Sequence, residues 1–388
     1  MACRDHYVAL HDDATRWRTL LSTSLEGRLD INLTLHADVL GEISVRSSRP
    51  RLAQKLMAGL TPLAAAERAG LIFSLCGKAQ RTAAEVACEA ALGIQPEAEV
   101  EIMRVQRVLI ELAQEHAWHF LLHWPQQVAE AADMSSLFAL RKSATDPTQF
   151  SKLLEQLLND VFLGESAMRW LTQDLTAFDF WREQAATLPA KLFRIWDCRS
   201  DHGISQAQLL PPLHQLDPSQ CAELARQALA NEDFCGQPEW SGGPAETGAI
   251  SRQWQHPLLA AWIDARGRGA GARLLARLIE LASLPQQFAG KPDAVVKAFN
   301  LGENIGMSAI ETSRGLLIHV VRLANEKIAD YRIVAPTEWN FHPAGALVEA
   351  LTQAMAVLAP DEVVAKRAEA ICQSLDPCVS FAVEVSHA

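Results

Sequence analysis

The sequence predicts an α+β fold that is predominantly α-helical, with long core helices and β-hairpins near both termini. Apolar–polar alternation, the mark of a half-buried strand, is concentrated in two stretches, 25–47 and 314–335. Between them the apolar residues recur three and four apart, as they do on helices. Hairpins so distant in sequence belong to one fold when its ends come together. With 49% hydrophobic and 21% charged residues among 388, the chain is too apolar to stay unfolded and long enough to bury a sizeable core.

In LEGRLDINLTLHADVLGEISVRS, one run holds Leu29, Ile31, Leu33 and Leu35 and the next holds Ile43 and Val45, with Ala37, Asp38 and Gly41 between them. This is a hairpin with one buried face. Helices follow over about 51–230, and Pro62 suits a first helical turn because its missing amide proton costs nothing there. CGKAQRTAAEVACEAALG places small residues at 79, 83, 87, 90 and 91, a stripe that permits close backbone approach, and Gly93 caps its end. EIMRVQRVLIELAQEHAWHFLLHW sets Ile102, Val105, Leu109, Leu112, His116 and Phe120 along one face, predicting a central buried helix. Further amphipathic helices fill 130–235, broken near Pro147, Pro189 and Leu210-Pro211-Pro212. Segment 235–257, rich in Gly and Pro, predicts a long irregular loop, uncommon inside a compact protein unless it lines a site. The second hairpin turns at Ala324-Asn325-Glu326 and exits through Pro336 and Pro343, and a last helix runs into the tail over 345–388.

Thirty-five basic against 46 acidic residues leave a formal charge of −11, which repels phosphate backbones and anionic lipid heads, so neither nucleic acid nor a membrane is an expected partner. The start MACRDHYVAL lacks the charged-then-apolar pattern of a secretory signal, and no apolar run could span a bilayer, so the expected location is cytoplasmic. Eight scattered cysteines (Cys3, Cys76, Cys88, Cys198, Cys221, Cys235, Cys372, Cys378) form no CxxC pair, so most are expected as free thiols that behave as small apolar residues. Cys76 opens the alanine-rich helix. The free amide protons there favour a thiolate and suit a metal ligand or nucleophile, while the bland alternative is a small buried residue. Cys378 follows a proline in Asp376-Pro377-Cys378 and carries the same two alternatives.

Around these cysteines the sequence resembles the large subunit of nickel–iron hydrogenases. That family has an N-terminal RxCGxCxxxH motif and a C-terminal DPCxxC motif, whose four thiolates hold nickel and bridge it to an iron carrying cyanide and carbon monoxide. FSLCGKAQRTAAEVACEAALGI is similar in its small residues, Glu89 and Leu-Gly-Ile, which puts Cys76 at the second, bridging cysteine, Phe73 at the first, and Gln80 at the motif histidine. At the other end Cys378 falls on a terminal nickel ligand and Phe381 on the second bridging cysteine. Two thiolates and two aromatic rings cannot supply the soft four-sulfur set that nickel needs, so no nickel and no hydrogenase activity are expected.

The resemblance extends to the rest of the pocket. Leu25-Glu26-Gly27-Arg28 is similar to the family's EGH segment, with Arg28 in place of histidine and Glu26 as a site-lining residue. PAETGAISR matches a family loop through Glu246, Gly248 and Arg252, and ETSRGLLIH followed by IADYRIVAPTEWNFHP is the most specific match. By resemblance Arg314 and Thr337 fall on the positions that hydrogen-bond the two cyanides. A guanidinium there offsets the net negative charge of a ferrous centre with cyanides and thiolates. The ordinary alternatives are that Arg314 pairs with a carboxylate such as Glu26 and that Thr337 caps a turn.

The residues lost are thus those for nickel, and those kept are the ones for iron and its diatomics. This pattern resembles the non-catalytic hydrogenase assembly scaffolds of the HoxV/HupK type, over a single large-subunit-like domain spanning 1–388. The resemblance implies a carrier that receives an Fe(CN)2(CO) fragment from a HypC-type chaperone and HypD and delivers it to the apo large subunit, with Cys76 and Cys378 on the metal. Large-subunit precursors commonly carry a C-terminal extension; here the sequence stops at Ala388, just after His387, which fits the same expectation. The rival is a metal-free interaction module of the same fold. His116, His119 and His123 have a spacing that can bind zinc or iron, but a satisfied structural histidine is the commoner case.

Overall fold

Alternation at 25–47 becomes an antiparallel pair, β1 (Arg28–His36) and β2 (Val39–Ser47), with Leu29, Ile31, Leu33 and Leu35 all buried on one face of β1. This is a computed structural model that describes residues 27–36, 39–49, 52–73, 75–199, 203–290, 294–356 and 360–387. Helix α1 (Pro62–Ile72) starts with proline in its first turn, and the Thr61 hydroxyl accepts from the Ala64 amide. Helix α2 (Gly77–Leu92) ends at Gly93 in left-handed backbone (φ 68°), where glycine carries no Cβ penalty. Its alanine stripe is buried: Ala79, Ala83, Ala84, Ala87, Ala90 and Ala91 all turn inward.

The long helix expected at 101–124 is α3 (Ala98–Trp118), which passes into a π-helical turn at His119–His123. It buries Arg104, Val108, Leu109, Ile110, Leu112, Ala113, His116 and Ala117. Ile102, expected on that face, is instead 57% exposed, because α3 buries side chains only from Arg104 onward. Helices over 134–230 follow, several opened by an aspartate whose carboxylate accepts first-turn amides, at Asp133, Asp146, Asp174 and Asp217. Helix α4 (Ala270–Ala289) lies at the centre, buried on every side through most of its length, and carries Arg273, Arg277 and Glu280 inside the protein. Hydrophobic residues of α2, α3, α4 and the 134–199 helices share one core.

The second hairpin belongs to a larger sheet of four antiparallel strands in sequential order: β3 (Val296–Asn300), β4 (Ile305–Thr312), β5 (Gly315–Ala324) and β6 (Lys327–Val334). Asn325 and Glu326 both have positive φ in the turn between β5 and β6, as a two-residue hairpin turn requires. The expected irregular loop at 235–257 is partly regular. Trp240 bridges Gly243, Ala245–Glu246 pairs in parallel with Gln208–Leu209, and Ala249–Gln253 forms a helical turn. Beyond helix α5 (Asp361–Leu375), the tail forms β7 (Ser380–His387), which lies parallel to β1. The C-terminal strand and the first hairpin therefore make one three-stranded sheet, ordered β2-β1-β7, and the ends of the fold meet. No helix among the described residues is long and apolar enough to cross a membrane.

Helix α2 lies directly against the sheet at Gly306 of β4. A Cβ there would fall 2.1 Å from the Ala87 carbonyl oxygen and 2.3 Å from the Ala91 nitrogen. Both are backbone atoms, so α2 would have to lift off the sheet. Gly306→Ala is expected to lower unfolding free energy by about 1–3 kcal/mol or more, the usual cost of overpacking; urea denaturation measures it.

Candidate functional site

Cys76 lies in the tight connection between α1 and α2. That connection depends on Gly77, where a Cβ would come 2.6 Å from the Gly70 carbonyl oxygen. Cys76 occupies the N-cap position but makes no side-chain cap bond. The cap comes instead from α3: the Glu111 carboxylate accepts the backbone N–H of Lys78 at 2.9 Å and of Ala79 at 2.8 Å. The Cys76 sulfur is thereby left to the cavity, where it accepts a 3.5 Å hydrogen bond from Gln80 Nε2.

This arrangement reverses the expectation of a thiolate favoured by the helix N-terminus. Burial, then the neighbouring Cys378 and the Glu111 charge, push the Cys76 thiol up to about 12, against the Gln80 hydrogen bond and Arg314. The amide protons expected to stabilise the sulfur are engaged by Glu111. Burial in turn raises Glu111 to about 7 in spite of those two N–H groups.

Cys378 stands opposite. The Thr337 hydroxyl lies 3.0 Å from its sulfur as donor and accepts the Cys378 backbone N–H at 3.2 Å. Thr337 is buried at the start of the helical turn Pro336–Asn340. Cys76 and Cys378 line one cavity of about 500 Å³, walled by Leu52, Leu56, Met57, Leu71, Ile72 and Phe73. Phe73 lines that cavity, whereas Phe381 pairs with Leu29 across β7 and β1 and packs into the core between hairpin and α5.

Arg49 and Arg68 line the cavity, and Arg314 acts on both of its sulfurs from behind the lining; sequence reasoning found only Arg314. Arg49, just after β2, lines it, lies 5.8 Å over the Phe73 ring, and approaches Glu338 at 3.7 Å. Burial opposes its charge, yet Cys378, Glu338 and Cys76 hold its pKa above the ordinary value. The available signal was faint, a lone arginine before a proline at the end of a strand. Arg314, predicted from sequence, is 7% exposed. It faces Glu115 at 3.1 Å and Asp376 at 3.5 Å, so its carboxylate partners come from α3 and the C-terminal turn. Burial again works against the charge, but Asp376, Glu115, Cys378 and Cys76 together keep it firmly protonated.

Asp376 has φ 53° at the end of α5 and receives His119 at 3.0 Å and Arg277 at 3.6 Å as well as Arg314. Although burial favours the neutral acid, Arg314, His119 and Arg277 hold its carboxyl well below the usual range. The segment after Arg314 is pinned too: Thr247 Oγ1 accepts the Leu316 amide at 2.9 Å, and Asn340 Oδ1 accepts the Thr247 amide at 2.8 Å. Gly248, at φ 124°, sits against the Arg314 carbonyl. Glu246 pairs with Arg273 at 2.7 Å, and Arg252 with Glu280 and Glu311.

The structure thus brings Cys76, Cys378, Thr337 and Arg314 together; Glu26 lies outside the described residues. The three histidines of α3 and its π turn do not converge. His116 binds Glu280 at 2.7 Å, while His119 faces His123 and Asp376. Among the described residues no group of three or more His, Cys, Asp or Glu side chains could hold a metal ion. Cys88 and Cys372 are buried in the core. A metal at this cavity would have two protein sulfurs, with the Arg49, Arg68 and Arg314 cations nearby.

The fold is nickel–iron hydrogenase large-subunit-like. The Ni-Fe-Se hydrogenase from D. vulgaris Hildenborough matches with a TM-score of 0.55 at 16% identity, over 89% of this chain and 95% of that one, a likeness that shows the fold. The family model for nickel-dependent hydrogenase matches residues 272–384. Sequence relatives narrow the class. The hydrogenase expression/formation protein HoxV of Cupriavidus necator is 30% identical over 94% of this chain and 96% of its own length. HupK of Rhizobium leguminosarum bv. viciae, of the same description, is 30% identical over 93% and 97%. The chain belongs to this HoxV/HupK family.

Asp376→Asn would leave three buried cationic or polarised partners without their carboxylate, and a loss of about 3 kcal/mol or more is expected at pH 7. Because the folded pKa of Asp376 is depressed, its stabilisation is present above the unfolded value of about 4 and is lost as pH falls through the folded value. The stability gap between wild type and Asp376→Asn, measured by urea denaturation, should be constant near neutrality and shrink below about pH 4.

Proposed function

We propose that the protein is a non-catalytic maturation scaffold for nickel–iron hydrogenase that carries an Fe(CN)2(CO) fragment as cargo. It receives the fragment from a HypC-type chaperone and HypD and hands it to the apo large subunit. The hydrogenase expression/formation description of its relatives supports the maturation role. The observation that carries the cargo assignment is the pairing of two cavity sulfurs with the half-buried Arg49 and the buried Arg314 guanidiniums. A ferrous iron that brings two cyanides and a carbonyl needs few further ligands and gains negative charge with each thiolate. Cys76 and Cys378 supply sulfur, and Arg314 and Arg49 offset that charge in surroundings of low dielectric.

Each side chain has a separate task. Thr337 orients the Cys378 sulfur through its hydroxyl and through the amide it accepts. Arg314 is held by Glu115 and Asp376, so its remaining donors are presented in a fixed direction. Leu52, Leu56, Met57 and Phe73 exclude water from the cavity wall. Two protein ligands leave the iron open to a thiolate of the acceptor, which allows transfer by exchange. The rival, a metal-free interaction module, has one observation in its favour: Arg314 already has two carboxylate partners.

Infrared spectra decide between them. Protein isolated anaerobically after co-production with the upstream maturation proteins should show cyanide and carbonyl stretching bands, and Cys76→Ala should abolish them. Arg49→Ala should lower iron per chain about tenfold, the effect of losing one hydrogen bond to a charged group. A wild-type preparation with neither bands nor iron establishes the metal-free module.

A further inference from the structure

Strand β3 forms one edge of the four-stranded sheet and β6 the other. The β6 edge is filled by this chain itself. The Gln54 side-chain amide donates to the Ala329 carbonyl at 3.0 Å and accepts the Tyr331 amide at 2.6 Å, while Gly59 N–H bonds the Ile328 carbonyl and Ile328 N–H the Leu60 carbonyl. At β3 the register shows which groups are left over. Leu301 N–H bonds the Ile305 carbonyl, and Glu311 N–H bonds the Val295 carbonyl, so the odd-numbered residues here turn their backbone groups toward β4. Val296, Ala298 and Asn300 turn theirs the other way. Among the described residues no backbone group bonds those three from the open side.

The same three residues line a cavity of about 380 Å³ between the strand and the connection from α2 to α3. Part of its wall is apolar, formed by Val105 and by Ile94, which is 49% exposed. An open strand edge is a template for pairing, and proteins commonly guard one with a lysine or a proline. Lys297 does not guard this edge, because the Leu213 and Leu216 carbonyls take its ammonium group. Arg104, the other cation of the cavity, is held by Glu85 and Glu89. Glu101 also lines the cavity, has no ion-pair partner among the described residues, and is preceded by Glu97 and Glu99, both exposed. The groove beside the free edge is therefore left with negative charge that this chain does not neutralise.

We propose that the β3 edge and its groove are a docking site for an extended segment of a protein partner, one whose inward face carries an aliphatic residue with lysine or arginine two positions away. The segment adds as a further strand beside β3. Its backbone takes the free N–H and C=O groups of Val296, Ala298 and Asn300, which supplies affinity, and its alternate side chains enter the groove beside Ile94 and meet Glu101, which supplies selectivity. The groove lies at the far end of α2 from Cys76, and 16 residues of helix put roughly 24 Å between the two ends. A partner held at β3 therefore leaves the cavity that contains Cys76 uncovered. The site needs no metal and stands independently of the cargo assignment.

The probe is a peptide, Thr-Lys-Thr-Val-Thr-Lys-Thr, with fluorescein at its N-terminus and an amide at its C-terminus, titrated with the full-length protein at low salt and read by anisotropy. Saturable binding below millimolar is expected, together with slowed amide hydrogen exchange over 294–301, read by mass spectrometry. Ala298→Pro removes an outward N–H that β4 does not use, at an exposed position where an edge strand accepts proline. It should weaken binding about tenfold. Glu101→Lys should weaken it about fivefold and should favour the same peptide with glutamate in place of lysine. Circular dichroism shows whether the variants are folded, and if Ala298→Pro is not, Glu101→Lys and the exchange map still decide. No binding at millimolar concentration, equal binding by folded Ala298→Pro, or exchange slowed only outside 294–301 overturns the proposal. A concentration-dependent dimer in analytical ultracentrifugation that Ala298→Pro abolishes would assign the edge to a second copy of this chain and refute the partner.

Discussion

The Asp376 carboxylate fixes where the C-terminal sulfur can be. Its residue adopts left-handed backbone at the end of α5, a conformation that is costly without glycine. The cost is met by contacts from three other elements: His119 after α3, Arg277 on α4 and Arg314 before β5. Its amide also closes α5 by bonding the Cys372 and Gln373 carbonyls. Pro377 follows, with little freedom of its own, so the position of Cys378 two residues on is set by a group that does not itself line the cavity. From there the chain enters β7 and lies along β1, which holds the turn from its other side.

Helix α4 plays the complementary part behind the cavity. Arg273, Arg277 and Glu280 recur four and three residues apart, so they share one face. Each engages a different segment: Arg273 takes Glu246 of the irregular region, Arg277 takes Asp376 of the tail, and Glu280 takes Arg252 and His116. Buried ion pairs add little net stability compared with apolar packing, but an unmatched partner is expensive. Their effect is therefore selective: only one mutual placement of loop, tail and α3 satisfies all three. That same placement presents Arg314 toward the two sulfurs.

The cavity itself joins opposite environments. Its outer wall is aliphatic and reaches the surface near Leu71, which is 85% exposed, while its inner wall carries the two sulfurs beside the Arg49 guanidinium, with Arg314 acting on both sulfurs from behind. Burial keeps the Cys76 thiol protonated when nothing is bound, and a metal must displace that proton. The guanidiniums and the Gln80 amide act in the other direction, favouring a negatively charged occupant.

The sequence by itself determined the elements whose signals are local. The alternation of the hairpins, the alanine stripe of α2 with its glycine cap, and the Asp376-Pro377-Cys378 turn can be read from spacing alone, and the resemblance singled out Cys76, Cys378, Arg314 and Thr337. Strand β7 stands where the sequence predicted only a tail, although Phe381, Val383 and Val385 alternate there. Strand β4 was hidden because it is buried on both faces and so shows no alternation. Tertiary structure decided what each buried face meets: that Glu111, 35 positions beyond Cys76 in the numbering, caps its helix and reverses the expected effect on its thiol; that Arg49 joins the site; and that His319, bonded to Tyr331, reaches Gln80. Periodicity reports that a side chain is turned inward, but the partner waiting there comes from a distant segment, and no spacing along the chain encodes it.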